Sequence, residues 1–389
     1  MAGVKYCLGL MSGTSVDSID ASLISVGPKA DQLLLHTQYE YPKKLRQEIL
    51  ELIRTPSTSL EGLTRVHYEI GAAFAEAASI AIETAKKKKI CVKGPDLIGS
   101  HGQTVFHDPA GKRTLQIGEA SLISARTGIT TVADFRSADT AAGGEGAPLL
   151  PLYHHRLFRQ EEKHGIAIHN LGGISNYTYL GPKGKIFALD TGPANCLLDG
   201  AIQKFTSGGK SFDEKGNIAR SGKLSEELLR SLLEEGEVAA FRKLGAPKST
   251  GRELFSPRLL EAKLTQFSRL SPPDVLRTLA QFTVELIADS YESEIVKRKL
   301  PLRTVVIAGG GAKNSFLLSL LEQRFPKVKF RTMEDFGHSA QALESQAFAY
   351  YAYLTLQGRP LTYPTTTGAE ESVICGKISP GKNWKKIGK

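Results

Sequence analysis

Apolar positions along the chain follow two periods, and the two alternate. Short runs with a period of two, punctuated by glycine and polar turn residues, predict strands over 5–11, 21–26, 33–40, 97–100, 165–171, 176–180, 185–189 and 304–308. Longer stretches with helical spacing predict helices over 43–53, 60–88, 224–234, 275–297, 315–324 and 342–356. Strands interleaved with helices imply an α/β architecture.

The pattern also repeats. Residues 7–15, CLGLMSGTS, read as an apolar strand, a Gly/Ser turn and the start of a second strand; residues 167–175, AIHNLGGIS, have the same design. A long helix then leads to DLIGSHG at 96–102 in the first half and to TVVIAGGG at 304–311 in the second. Two α/β halves of this kind predict a duplicated fold whose glycine-rich turns face one cleft. Two lobes are expected, 1–137 and 138–389, with the C-terminal segment packing back on the first.

Composition narrows the function. With 389 residues, 41% of them hydrophobic, the chain is long enough for two or three cores. No basic-then-apolar leader precedes the first strand, and no apolar run reaches the roughly 20 residues of a membrane span; residues 72–85 come nearest and are broken by Glu76 and Glu83. The four cysteines are scattered and read as reduced thiols in a cytoplasmic protein. The net charge of +10 sits largely in residues 86–89 and 377–389 and reads as solvated faces. Without interleaved aromatic and basic residues it does not suggest nucleic acid, and it suits anionic small ligands.

Three glycine-containing turns carry candidate chemistry. In residues 9–20, GLMSGTSVDSID, Gly13 lets backbone N–H groups approach an anion, and Ser12, Thr14 and Ser15 add hydroxyls. Asp17 and Asp20 are candidate Mg²⁺ ligands, directly or through water. In residues 189–195, LDTGPAN, a strand ends in Asp190 beside a Thr-Gly turn, which suits a general base or a metal-linked carboxylate. In residues 307–314, IAGGGAKN, three glycines after a strand let a flat ligand lie on the backbone; Asn314 stands where a dinucleotide fingerprint needs its last glycine. Each motif alone reads equally as an ordinary turn or helix cap. SGGKS at 207–211 is not a P-loop, because Lys204 occupies the place of the earlier glycine. The adjacent His154 and His155 are no metal pair, since neighbouring side chains rarely converge.

Together the motifs resemble the anhydro-N-acetylmuramic acid kinase family, of the superfamily shared with hexokinase, actin and the Hsp70 ATPase domain. The matching stretches are GLMSGTSVDSID (9–20), GSHGQTVFHDP (99–109), LQIGEASLISARTGITTVADFRSADTAAGGEGAPLLPLYH (115–154), NLGGISN (170–176), LDTGPANCLLD (189–199), GRELF (251–255), GGGAKN (309–314) and ALESQAFAYYAYLTLQGRP (342–360). The resemblance implies a ribonuclease H-like, two-lobed α/β fold with a central cleft for ATP and sugar. It implies ATP-dependent phosphorylation of 1,6-anhydro-N-acetylmuramic acid with hydrolytic opening of the anhydro ring, Mg²⁺ assisting.

By the same resemblance Asp190 is the base. Residues Ser12, Gly13, Thr14, Ser15, Val16, Asp17, Ser18, Ile19 and Asp20 hold the triphosphate, with Gly192 and Asn195 also on the nucleotide, and Gly309, Gly310, Gly311 and Asn314 take the adenosine. Arg136 meets the lactyl carboxylate or a phosphate; Glu344, His101, Gln103, Thr104 and Asp134 contact the sugar. Partners are a sugar and ATP, with a homodimer left open and neither nucleic acid nor membrane expected. The chain departs from the family pattern at Ser18, Ser137, Ala138, Glu145 and Gln346, which bears on substrate preference. The rival readings are a kinase for another sugar and a nucleotide-driven clamp without catalysis.

Overall fold

The computed structural model describes residues 5–387 apart from 29, 235, 246, 247, 249 and 251–253. The first three residues of the GRELF stretch and the last two of the basic tail lie outside the described residues. The strands are β1 (Tyr6–Ser12), β2 (Ser18–Val26), β3 (Asp31–Glu40), β4 (Leu97–Asp108), β5 (Arg113–Ile117), β6 (Thr131–Ala133), β7 (Ile166–Leu171), β8 (Ile174–Gly181), β9 (Lys185–Pro193), β10 (Thr304–Ala308), β11 (Lys329–Thr332) and β12 (Lys377–Ser379).

They form two mixed sheets. One runs β12-β6-β4-β1-β2-β3, with β5 paired to β4; the other runs β11-β10-β7-β8-β9. In the first, β1 pairs antiparallel with β2, and β2 with β3, while β1, β4 and β6 are parallel neighbours. In the second, β7, β8 and β9 are antiparallel, and β7, β10 and β11 parallel. Strands β6-β4-β1-β2-β3 of the first sheet therefore share the order and the directions of β11-β10-β7-β8-β9, with β12 and β5 added in the first. The chain is a duplicated α/β fold, as the repeated pattern predicts, and of the ribonuclease H-like kind that the resemblance implies.

The chain divides into two compact units, Met1–Leu157 with Gln341–Lys389, and Phe158–Ala340. The division expected after residue 137 falls after Leu157, and residues from 341 onward belong with the first unit. Residues 137–157 explain the shift, because they are fastened within that unit. Thr367 Oγ1 donates to Asp139 Oδ1 (2.7 Å), Tyr351 Oη to the Leu149 carbonyl (2.7 Å), and Arg156 Nη2 to the buried Asp31 (2.9 Å).

In the first unit the Leu60–Lys87 helix starts at Ser59, whose hydroxyl accepts from Gly62 N (3.0 Å). Ile70, Phe74, Ala77, Ala78, Ala81 and Ile82 line its buried face against Leu8, Leu10, Leu23 and Ile98 of the sheet. The Leu343–Leu356 helix lies on strands β1 and β4 at backbone distance. A Cβ on Gly9 would stand 1.8 Å from the Ser345 carbonyl oxygen, and one on Gly99 would stand 2.0 Å from that of Phe348. In the second unit the Pro272–Tyr291 helix, capped by Ser271, packs Leu276, Leu279, Phe282 and Leu286 against Tyr177, Leu189, Val305 and Ile307. No helix among the described residues is long and apolar enough to cross a membrane.

Several boundaries differ from the sequence reading. Strands β5, β6, β11 and β12 are three to five residues long, too short for a period of two to stand out. The helix expected over 275–297 stays α-helical only to Tyr291 and continues as a π turn over Glu292–Val296. Strand β9 does not end at Asp190 but runs on to Pro193.

Candidate active site

In the first unit the candidate residues gather on the β1–β2 connection, the first turn of the Leu343–Leu356 helix, strand β4, which carries His101, Gln103 and Thr104 where a glycine-broken loop was expected, and the loop after β6. The β1–β2 loop is held by its carbonyls. Gln103 Nε2 donates to Gly13 O (3.1 Å), and Arg46 Nε donates to Val16 O (2.8 Å) while its Nη2 reaches Asp17 Oδ1 (2.9 Å). Thr14, Ser15 and Asp17 are exposed; Ser12, Val16 and Ile19 are buried. The backbone freedom assigned to Gly13 is used elsewhere. Among the loop residues Val16 takes the left-handed conformation, at φ 54, and Gly13 does not. For a β-branched residue this is a strained conformation, held by the bonds to Arg46 and by burial of the side chain. Val16 and Ile19 are thus core residues whose side chains are buried.

Beside the loop is a hollow of about 270 Å³, lined in part by Ser18, Asp20, Gln38, Gln341, Glu344 and Ser345. Asp20 Oδ1 accepts from Gln38 Nε2 (3.1 Å) and lies 2.8 Å from His36 Nε2. Gln38 also donates to Ser18 Oγ (3.1 Å). Solvent reaches Glu344, yet the enclosing protein desolvates its carboxyl and raises its pKa; Arg136 pulls it down and Asp20 adds to the rise. Gln38, Gln341, His36 and Arg46 gave no signal in the sequence, because none belongs to a glycine-rich motif.

Arg136 is fixed from behind. Its Nε–H donates to His101 Nε2 (3.0 Å) and its Nη1–H to Gly146 O (2.7 Å). Gly146 N in turn donates to the buried Asp139 Oδ2 (2.8 Å). Burial, and then the Arg136 charge, hold His101 well below the usual imidazole range, so the ring is neutral. With Nε2 accepting from Arg136, Nδ1 carries the hydrogen and donates to Gly102 O (3.0 Å). His101 therefore has both nitrogens engaged internally. Gln103, fully buried, is likewise committed to Gly13 O and accepts from Tyr41 Oη (3.4 Å). Both side chains are held in place by these internal bonds. Thr104 Oγ1 accepts from Gln116 (3.2 Å), and Asp134 is bonded to Ser137 and paired with Lys377 (2.6 Å).

In the second unit Asp190 sits within β9, half-buried. Its N–H donates to Lys248 O (2.8 Å), and its Oδ2 accepts from Thr250 N (2.8 Å). The β7–β8 turn is stapled by Asn195, whose Nδ2 donates to Leu171 O (2.9 Å) and Gly172 O (2.8 Å). Asn314 caps the Ser315–Arg324 helix, accepting from Leu317 N (3.0 Å). Asn195 and Asn314 thus each brace the local backbone. Gly309, at φ 80, and Gly311 lie against Leu171: a Cβ would come within 2.9 Å of the Leu171 carbonyl oxygen at either position, whereas Gly310 has room. Gly192 is packed against Leu286, 2.6 Å from a built Cβ.

Behind Asp190, four buried side chains are linked. Thr191 Oγ1 donates to Ser175 Oγ (2.6 Å); that oxygen lies 2.6 Å from His169 Nε2, and His169 Nδ1 lies 2.5 Å from Tyr291 Oη. Burial pushes the His169 ring down to about 3. In the unfolded chain the same ring takes a proton as the pH falls through about 6.5, so stability is fully present above that pH and declines towards pH 3. The slope is about 1.4 kcal/mol per unit, or about 2 kcal/mol by pH 5. Urea unfolding at about pH 7.5 and about pH 5 is expected to show this loss, and His169→Gln to show about 2 kcal/mol less of it. Equal losses in the two proteins would mean that His169 is not a neutral buried ring.

The sequence comparisons extend over nearly the whole chain. The model of the anhydro-N-acetylmuramic acid kinase family matches residues 5–381. Curated proteins named anhydro-N-acetylmuramic acid kinase are similar from end to end. That of Pasteurella multocida is 39% identical, covering 96% of this chain and 97% of its own. That of Rippkaea orientalis is 40% identical, covering 96% and 99%. Among solved structures, the activator of the 2-hydroxyisocaproyl-CoA dehydratase from Clostridium difficile aligns loosely, at 12% identity over 90% of this chain and 94% of its own, with a TM-score of 0.41. The matched span includes every candidate residue described above, from the β1–β2 loop to Glu344, so the chain belongs to the anhydro-N-acetylmuramic acid kinase family.

Proposed function

We infer that the protein is an ATP-dependent kinase for 1,6-anhydro-N-acetylmuramic acid. It opens the anhydro ring with water as it phosphorylates, giving N-acetylmuramic acid 6-phosphate and ADP. The observation that carries the reading is the family match over residues 5–381, a span that includes Asp190, Arg136 and Glu344. Asp190 takes a proton from water attacking the anomeric carbon; the bridge oxygen leaves that carbon and attacks the γ-phosphate. The Thr250 amide keeps the carboxylate oriented for this step. The exposed Thr14 and Ser15 hydroxyls and the Gly309–Gly311 turn are assigned to ATP. Glu344 accepts from sugar hydroxyls, with Asp20 and Gln38 beside it.

Magnesium fits as an ion carried by the nucleotide. No group of three or more acidic, His or Cys side chains among the described residues could hold a metal alone. Mg²⁺ in such enzymes takes one or two carboxylates and otherwise phosphate and water. The exposed Asp17 supplies a carboxylate of that kind, with Asp20 nearby on β2; the ion would neutralise charge on the transferring phosphoryl group. We place the reaction in the cytoplasm, where ATP is made and the free thiols stay reduced.

Mass spectrometry of the protein incubated with ATP and the anhydro sugar tests the reading. The expected product carries one added water and one added phosphoryl group. ATP hydrolysis alone, or phosphorylation confined to another sugar, would overturn it. Arg136→Ala is expected to raise the KM for the sugar, because a charged hydrogen bond to the lactyl carboxylate contributes about 1.5–3 kcal/mol, roughly tenfold or more. The KM for ATP should move less than about twofold. The reverse pattern would assign Arg136 to the nucleotide.

A further inference from the structure

We propose that the buried chain Tyr291–His169–Ser175–Thr191 is a positioning relay that sets the aim of Asp190; this rests on the assignment of Asp190 as the base. Three observations converge. The first is a bulge in the sheet. Ser175 faces Gly192 across the β8–β9 ladder while the next residue, Asn176, faces Asp190. Thr191 is therefore the extra residue in β9, and it immediately follows the base. A bulge bends its strand and redirects the adjacent side chain, and it leaves the extra residue without a ladder partner.

The second is how that residue is fastened. Thr191 Oγ1 donates to Ser175 Oγ at 2.6 Å and approaches Ser175 O at 3.3 Å. Ser175 is bonded to His169 on β7, and His169 to Tyr291 at the end of the Pro272–Tyr291 helix. Each of the four residues is at most 1% exposed. The Tyr177 ring stacks on His169, with centroids 5.5 Å apart, and meets Tyr291 edge-on at 5.0 Å. The imidazole is thus locked in its plane between polar contacts at both nitrogens.

The third is what lies on either side. Gly192, the residue after the bulge, packs on Leu286 of the same helix that supplies Tyr291. The backbone of Asp190 is held at the outer edge by Lys248 O. The strand is clamped on both flanks of the base, and the relay is a polar tether between the bulge and the helix. A hydroxyl chain through an apolar core is an expensive way to hold a strand unless direction matters, since an apolar side chain of equal volume would fill the same space.

Thr191→Val removes the hydroxyl and keeps the shape. It is expected to lower kcat by about 10–100-fold, as for a base displaced by a fraction of an ångström, with the KM for sugar and for ATP within about twofold of wild type. Thr191→Ser should keep kcat within about twofold, and Thr191→Val with Ser175→Ala should be no worse than either alone, because the groups act as one unit. Wild-type kcat in Thr191→Val, with Asp190→Asn inactive, would overturn the relay. So would a loss that Thr191→Ser shares and that follows a fall in thermal midpoint. Activity surviving in Asp190→Asn would overturn the base itself, and the relay with it.

Discussion

Asp190→Asn is expected to lose roughly 10²–10⁴ in turnover, the usual cost of removing a general base, and to keep its fold. The side chain is half-buried within β9 and accepts from the Thr250 amide through Oδ2. The amide oxygen of Asn can accept that bond, so local packing survives. What disappears is the ability to take a proton from water near neutral pH. ATP binding should change little, since the glycine turn at 309–311 lies on a different loop of the unit. The loss exceeds the usual range if water attack and phosphoryl transfer occur in one event. In wild-type protein, ¹⁸O from solvent should enter the product at C1 and stay out of the phosphate. Label in the phosphate, or normal turnover by the Asn variant, would leave Asp190 with a structural role only.

Gly9→Ala is expected to cost about 3 kcal/mol or more in stability, at or above the upper end for overpacking a core. The neighbours of the added methyl are backbone atoms, the Ser345 carbonyl oxygen at 1.8 Å and the Ala349 nitrogen at 2.6 Å, and no side chain can rotate away. The helix must lift as a body, and Glu344 sits in its first turn. A lower urea midpoint with unchanged slope would accompany a raised KM for the sugar. A midpoint equal to that of the wild type would mean that the helix tolerates a wider spacing from the sheet.

These two positions also mark what could be read in the sequence. Strands β1, β2, β7, β8 and β10 are heavily buried, and their apolar runs announce them. Strand β11 exposes alternate residues over four positions and is invisible by the same criterion. The glycine motifs were legible as special turns, but not what each glycine does. Gly9 admits a helix, Gly309 takes a left-handed φ against Leu171, and in the β1–β2 loop Val16 carries the unusual φ in place of Gly13. Sequence spacing shows which side chains share a turn and does not show which atoms are already bonded. Hence the bonds by which His101, Gln103, Asn195 and Asn314 brace their neighbours could not be read from their motifs. Tyr291 and His169 lie 122 positions apart, and no local pattern joins them.

The helix that covers Gly9 and Gly99 has a consequence for how the protein is made. A ribosome delivers β1 and β4 long before residues 343–356, so the first sheet waits with that face bare while the segment 158–340 emerges with all its own sheet partners. Each unit is therefore complete at a different moment: all segments of the one encoded in the middle are available first, and the one whose strands emerge first is completed last. During that interval the uncovered strands expose apolar surface of the kind that chaperones shield.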